Sequence, residues 1–314
     1  VRERERIQRL SELFGVARDD GIELGIGDDA AILRAPGDLA IVWTVDAHVE
    51  HVHFERTWLS WEDCGYRSFM AAASDVSAMG ASPWCALGAL SLPPDVSDKD
   101  FESIADGQKL AAQAVSARIV GGNLSAGAIV TLTTSVLGLT PRAIRRQGAA
   151  VGDGLWICGE VGLAAAGLRA LALGHSAESV ERAVLAWRRP VPRVTAGLAM
   201  GRTAHAAIDV SDGLVCDVGH LAEASGVCVA IDLALLVAHG GDALARAAEA
   251  VGADPVDLAL NGGEDYALVA ASSAPIDGFS RIGDVREGMG VYVRDERGER
   301  RVEATGFDHF APRG

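Results

Sequence analysis

Acid residues gather in short turns at five places along this chain. "GIGDDAAIL" carries Asp28 and Asp29, "TVDAH" carries Asp46, and "AASDVSAMG" carries Asp75. "AIDVSDGL" carries Asp209 and Asp212, and "NGGEDYAL" carries Glu264 and Asp265. Any one of them alone reads as a helix cap or turn former. Five similar settings ask for a common purpose. Two carboxylates about 4 Å apart repel by about 4 kcal/mol at an effective dielectric near 20. Gathering several in one cleft makes sense where Mg²⁺ neutralises them. Carboxylate ligands, with phosphate oxygens filling the remaining positions, are the usual Mg²⁺ pattern.

Phosphates would need a holder of another kind than a lysine loop. No GxxxxGK(S/T) motif occurs, and neither Lys99 nor Lys109 follows a glycine-rich turn. The protein-kinase catalytic-loop set is missing too. Backbone amides at the helix starts in "CGEVGLAAAGL" and "VSDGL" are the available substitute. "GIGDDA" fits G-x-G-x-x-A, but Asp28 and Asp29 would face the pyrophosphate, which argues against a dinucleotide site. In "HVEHVH" (48–53) an extended backbone would put His51 and His53 on one face, a spacing that zinc accepts. No further ligand cluster joins them, and a phosphate or substrate contact by His53 is the competing use. "VGGNLSAG", Val120 to Gly127, reads as a strand end entering a tight turn. Its glycines would let backbone approach a ligand, and Asn123 offers an uncharged oxygen.

Alternating strands and helices must position these turns, which makes the chain α/β or α+β. Residues 3–14 read as a helix, 39–45 as a strand and 60–80 as a helix. Strands follow at 83–92 and 128–139, with a helix at about 98–117 between them. "TPRAIRRQGAAVGDG" (140–154) shifts to Pro, Gly and Arg, so we expect one domain over 1–139 and a second over 140–314. The second half restarts the pattern with "LWICG", "AHAAIDV" and the strand "YALVAAS" (266–272).

The 314 residues include 28 Lys plus Arg and 43 Asp plus Glu, a net charge of −15. That disfavours nucleic acid and anionic membrane as partners, while metal ions would still admit an anionic substrate. The five cysteines include no CxxC, which points to reduced thiols and a cytoplasmic protein. No apolar run approaches a membrane span, and the charged "VRERERIQRL" at the start is no signal peptide.

Taken in order, "ELGIGDDAAIL", "TVDAHVEHVHF", "ASDVSAMGASP", "VGDGLWICGEVGLAAAGL", "RRPVPRVTAGLAM", "AIDVSDGLVCDVGHLAEASG", "NGGEDYALV" and "GFDHF" resemble the thiamine-monophosphate kinase family. They span almost the whole chain. That family is akin to aminoimidazole-ribonucleotide synthetase and selenophosphate synthetase. The resemblance implies a two-domain α/β subunit. Its N-terminal mixed sheet, with helices, would pair in a homodimer barrel, and its C-terminal α/β domain would complete the site. It implies ATP in an acidic groove with several Mg²⁺ ions, and transfer of the γ-phosphoryl group to thiamine monophosphate. By the same resemblance Asp29, Thr44, Asp46, Asp75, Asp209 and Asp212 are metal ligands. Gly122, Asn123 and Ser211 fall at nucleotide contacts. Arg146 would reach the transferring phosphates, with Asp212 beside it in the catalytic set. His53, Glu264 and Phe307 fall at substrate contacts.

Three places, four residues in all, depart from the family pattern. Asn123 and Leu124 stand where Asp and Thr are usual, Val45 replaces a Thr beside Asp46, and Ala72 replaces an Asn. The first two would weaken one metal position together. A working kinase, a paralogue acting on another small acceptor, and a non-catalytic nucleotide binder are the three readings this leaves. The retained acids, His53, Glu264 and "GFDHF" favour the first.

Overall fold

The computed structural model describes residues 22–24, 28–34 and 37–303. The expected helix at 3–14 and Phe307 lie outside the described residues. Six strands form the first sheet: β1 (Ile22–Leu24), β2 (Ala31–Arg34), β3 (Ala40–Val49), β4 (Ser82–Leu92), β5 (Arg118–Ala126) and β6 (Thr131–Thr140). Their order is β1-β2-β3-β6-β4-β5, antiparallel throughout except for the parallel β4–β5 pair.

Helices α1 (Trp61–Ala78) and α2 (Asp98–Ala114) cover one face of this sheet. Phe69, Met70 and Val76 of α1 pack with Ala111 of α2 on Ile32, Val42, Ala86 and Val136. Ser60 caps α1 by accepting from the amide of Asp63, and Ser97 and Asp100 make a reciprocal capping box on α2. The two helices cross at Gly65 and Gly107. A methyl group at Gly65 would sit 2.0 Å from the Ile104 carbonyl oxygen, and one at Gly107 would sit 1.9 Å from that of Glu62. Only glycine permits so close an approach.

The second sheet comes from the rest of the chain: β7 (Gly154–Cys158), β8 (Ala206–Val210), β9 (Cys228–Asp232), β10 (Ala267–Ser272), β11 (Ser280–Arg286), β12 (Gly290–Asp295) and β13 (Gly298–Val302). Its order is β13-β12-β9-β11-β7-β10-β8, mixed in direction. Helices α3 (Leu163–Ala172), α4 (Glu178–Arg188), α5 (Val194–Met200), α6 (Leu214–Ser225), α7 (Leu233–Ala250) and α8 (Pro255–Asn261) accompany it.

Helix α1 is buried on nearly every side, as a helix lying between two sheets must be. Its C-terminal Ala78 packs with Met200, Ala207 and Leu268, and its N-terminal Cys64 packs in one cluster with Ala164 and Trp187. Polar residues on such a helix are therefore aimed at something. Asp75 lines the cleft described below, and Arg67 and Ser74 bond to two of its acids, Glu264 and Asp209.

The outer face of the first sheet is bare among the described residues. Trp43 and Val45 on β3, Trp84 and Leu87 on β4, and Val120 and Leu124 on β5 are all exposed, Val45 and Val120 by 64% each. One expectation is corrected at β5. "VGGNLSAG" is not a turn but runs as strand as far as Ala126, paired with β4. The strand needs glycine for packing, because a methyl at Gly122 would lie 1.8 Å from the Gly88 carbonyl oxygen.

Candidate active site

Between the sheets lies a cleft of about 540 Å³. Its walls include Asp46 and His48 from β3, Asp75 from α1, Asp209, Ser211 and Asp212 from the end of β8, and Glu264 and Tyr266 before β10. Strand and helix ends converge here, so acids separated by well over a hundred positions in sequence share one wall.

Asp29, Asp75 and Asp209 form its acidic end, each offering an oxygen within 4.8 Å of the others. Thr44 Oγ1 donates to Asp75 Oδ2 at 2.6 Å, and Ser74 Oγ donates to Asp209 Oδ2 at 2.5 Å. Asp29 Oδ2 is buried and has no hydrogen-bond partner among the described residues. Burial, then the charges of Asp209, Asp29 and Asp46, holds the Asp75 carboxyl well above the usual range. Burial and Asp29 push Asp209 up to about 7, against the Ser74 hydrogen bond. Burial and Asp29 also raise Asp28 to about 6.

Arg146 is the cation at this end. Its guanidinium pairs with Asp29, and its amide donates to Asp28 Oδ2 at 3.1 Å. Burial alone would lower its pKa, but Asp29 and Asp28 more than reverse that. A buried carboxylate oxygen without a donor, among acids that repel one another, is the chemistry a hard divalent cation satisfies. The donor set fits Mg²⁺.

The other end of the cleft is built differently. Arg67 is fully buried; it pairs with Glu264, donates to the Trp187 carbonyl and lies 4.5 Å from the centre of the Trp187 ring. Trp187 Nε1 donates to Glu264 Oε2 at 2.6 Å. Glu264 and Tyr266 hold left-handed backbone, φ 67° and 50°, and the Glu264 amide is fixed by the Ser211 carbonyl at 2.7 Å. His53 Nδ1 accepts from the Val49 amide at 3.0 Å, which places the proton of its neutral ring on Nε2. His48 stands beside it, ring centroids 5.5 Å apart. Burial, then the charges of Arg67 and His53, lowers the His48 pKa well below its ordinary value.

Most of the expected site residues therefore meet in this cleft: Asp29, Thr44, Asp46, Asp75, Asp209, Ser211, Asp212, His53, Glu264 and, through Asp29, Arg146. Gly122 and Asn123 do not join them within one chain. They lie on exposed β5, and β6 and β4 intervene between it and β3. At 4.7–4.9 Å per strand that is about 14 Å from the strand of Asp46.

Both glycine-rich helix starts have their amides engaged. Asp265 accepts from Gly162 at 2.6 Å and Ala164 at 3.0 Å, while Asp217 accepts from Ser211 and Asp212 at 3.0 Å each. The histidine pair does not share a face either. Residues 51–53 form a turn, and His51 points outward to Glu55 at φ 65°. Sequence reasoning passed over Arg67, Ser74, His48 and Asp217. A lone arginine inside the small and apolar run of α1 was the one available signal.

Comparisons with known proteins give the family. Residues 27–140 match the family model for AIR synthase related protein, N-terminal domain. The thiamine-monophosphate kinase of Mycobacterium tuberculosis is 37% identical over 291 residues, covering 91% of this chain and 86% of that protein. That of Escherichia coli K12 is 35% identical over 313 residues, covering 92% and 93%. A solved structure, AaThiL complexed with AMPPCP and TMP, superposes with a TM-score of 0.89 at 31% identity, over 98% of this chain and 97% of that one.

Proposed function

The chain belongs to the thiamine-monophosphate kinase family, and from that premise we propose that it makes thiamine diphosphate by Mg²⁺-assisted phosphoryl transfer from ATP at this cleft. One observation carries the reading: three carboxylates, Asp209 buried and Asp29 and Asp75 partly so, share a space that leaves Asp29 Oδ2 without a donor among the described residues, at one end of a cleft whose other end can house an organic group. Bound Mg²⁺ would supply charge neutralisation between the nucleotide phosphates and these acids.

The residues then divide the work. Asp29, Asp75 and Asp209, with Asp46 and Asp212 along the same wall, hold the metal, and Thr44 and Ser74 aim two of them. Arg146, steered by Asp28 and Asp29, is the protein cation for the transferring group. An acceptor phosphate oxygen attacks the γ-phosphorus as the bond to the bridging oxygen breaks, and that electron pair leaves on ADP. The acceptor oxygen is already deprotonated at neutral pH, so positioning and charge dominate and no strong base is needed. His53 and Glu264 contact the acceptor.

A homodimer belongs to this proposal. The bare apolar face of the first sheet and the outer edge of β5 suit a second copy, which would also give Gly122 and Asn123 a site to serve. Among the described residues no helix is long and apolar enough to cross a membrane. The five cysteines form no disulfide, which supports a cytoplasmic setting. A coupled ADP assay with thiamine monophosphate across a Mg²⁺ titration tests the function. ADP release that needs both acceptor and Mg²⁺ is expected; release no higher than the acceptor-free blank at every Mg²⁺ level would overturn it.

A further inference from the structure

We propose that His48 is a substrate-recognition residue that meets the polar edge of the acceptor's heteroaromatic ring at the inner end of the cleft. The inference rests on the kinase reading above and names a contact within it. Strand β3 works as a ruler. Thr44, Asp46 and His48 alternate onto its helix-covered face, two residues or about 7 Å apart. Thr44 is bonded to Asp75, Asp46 lines the cleft next, and His48 follows on the side away from the carboxylates. An acceptor with its phosphate at the acids extends its organic part toward His48.

The imidazole is equipped for that meeting. His48 is only 3% exposed, yet it lines the cleft. Neither of its ring nitrogens has a hydrogen-bond partner among the described residues. Buried polar atoms are ordinarily paired, and leaving two unpaired costs stability in the resting protein. The cleft also has apolar wall residues, Val52, Ala165 and Leu168, which suit the faces of a flat ring. An imidazole carries one donor and one acceptor. The aminopyrimidine of thiamine presents an exocyclic amine, which donates to the acceptor nitrogen of His48.

Kinetics of the full chain, with His48→Leu and His48→Gln, test this against thiamine monophosphate and an analogue lacking the exocyclic amine. His48→Leu should raise KM for thiamine monophosphate about tenfold and leave KM for ATP within about twofold, the loss of one hydrogen bond. The wild type should disfavour the analogue by a similar factor, and His48→Leu should no longer distinguish the two. His48→Gln, which keeps a donor and an acceptor, should recover part of the discrimination. An unchanged preference in His48→Leu, or a parallel rise in KM for ATP, overturns the role. Absence of wild-type turnover with thiamine monophosphate overturns the kinase assignment and this role with it, so the two failures are told apart.

Discussion

The two ends of the cleft carry charge in contrasting ways. At the acidic end Asp29, Asp75 and Asp209 crowd together, and burial and repulsion raise two of them far above ordinary carboxylates. At the other end the buried Arg67 meets Glu264 directly, and Trp187 satisfies both through its carbonyl, ring and indole N–H. One end is left short of positive charge, and at the other the opposite charges of Arg67 and Glu264 meet. The first is suited to receive a cation with its phosphates. The second holds a shape, with Glu264 kept in a strained backbone at the rim. The first end thus serves the metal and phosphates and the second shapes the room for the acceptor, where Arg67 Nε and both His48 ring nitrogens have no partner among the described residues.

Substitutions should separate the ends by the quantity they move. The largest effect belongs to Asp75→Asn or Asp209→Asn, which should cut kcat by about a thousandfold, as loss of transition-state electrostatics does. Steady-state turnover at saturating Mg²⁺ measures it, and near-normal rates at limiting Mg²⁺ would count against the metal site. Arg67→Met comes next and should act mainly on stability. It leaves Glu264 and the Trp187 carbonyl without their cation, a loss of roughly 3–5 kcal/mol, read from denaturant unfolding. A drop in kcat with unchanged stability would break the division of labour.

The acidic end also fixes a pH signature. An acid whose pKa is raised on folding disfavours the folded state once it ionises. The contribution of Asp209 to stability without metal should therefore be full below about pH 4, fall as the unfolded chain ionises, and be lost above about pH 7, where the folded Asp209 has titrated. Mg²⁺ competes with those protons, so the rise in Tm on adding Mg²⁺ should be larger at pH 8 than at pH 5. Equal shifts at both would place the ion elsewhere. The smallest effect is expected from Asn123→Asp with Val45→Thr, which should tighten Mg²⁺ dependence a few-fold, in the dimer alone. A Mg²⁺ titration of dimer and monomer fractions checks this.

Much of the acidic end was legible because its acids stand beside glycine and small residues near element ends. Of Asp29, Asp46, Asp75 and Asp209, only Asp29 lies outside helix and strand; Asp46 and Asp209 sit within β3 and β8 and Asp75 within α1. Asp29, Asp75 and Asp209 were visible in this way, although Asp265 and the overlooked Asp217 turned out to anchor helix-start amides instead. Pattern alone does not tell a carboxylate that binds metal from one that caps a helix, since both favour the same local sequence. Strand β5 was misread as a turn because close packing against Gly88 and a tight bend make the same demand for glycine. His48 escaped notice because its neighbours His51 and His53 have the familiar spacing. The alternation of β3, known only once its register is known, sends His48 inward, while His51 falls beyond the strand in a turn. Arg67 and Glu264 meet across 197 positions, a distance no local pattern reports.

Direct transfer is the claim on which the rest depends, and isotope-labelled ATP tests it best. With label in the γ-phosphoryl group, thiamine monophosphate and Mg²⁺, label is expected in the terminal phosphoryl group of thiamine diphosphate, one equivalent per ADP formed. Label appearing only in inorganic phosphate, with no thiamine diphosphate, would contradict it.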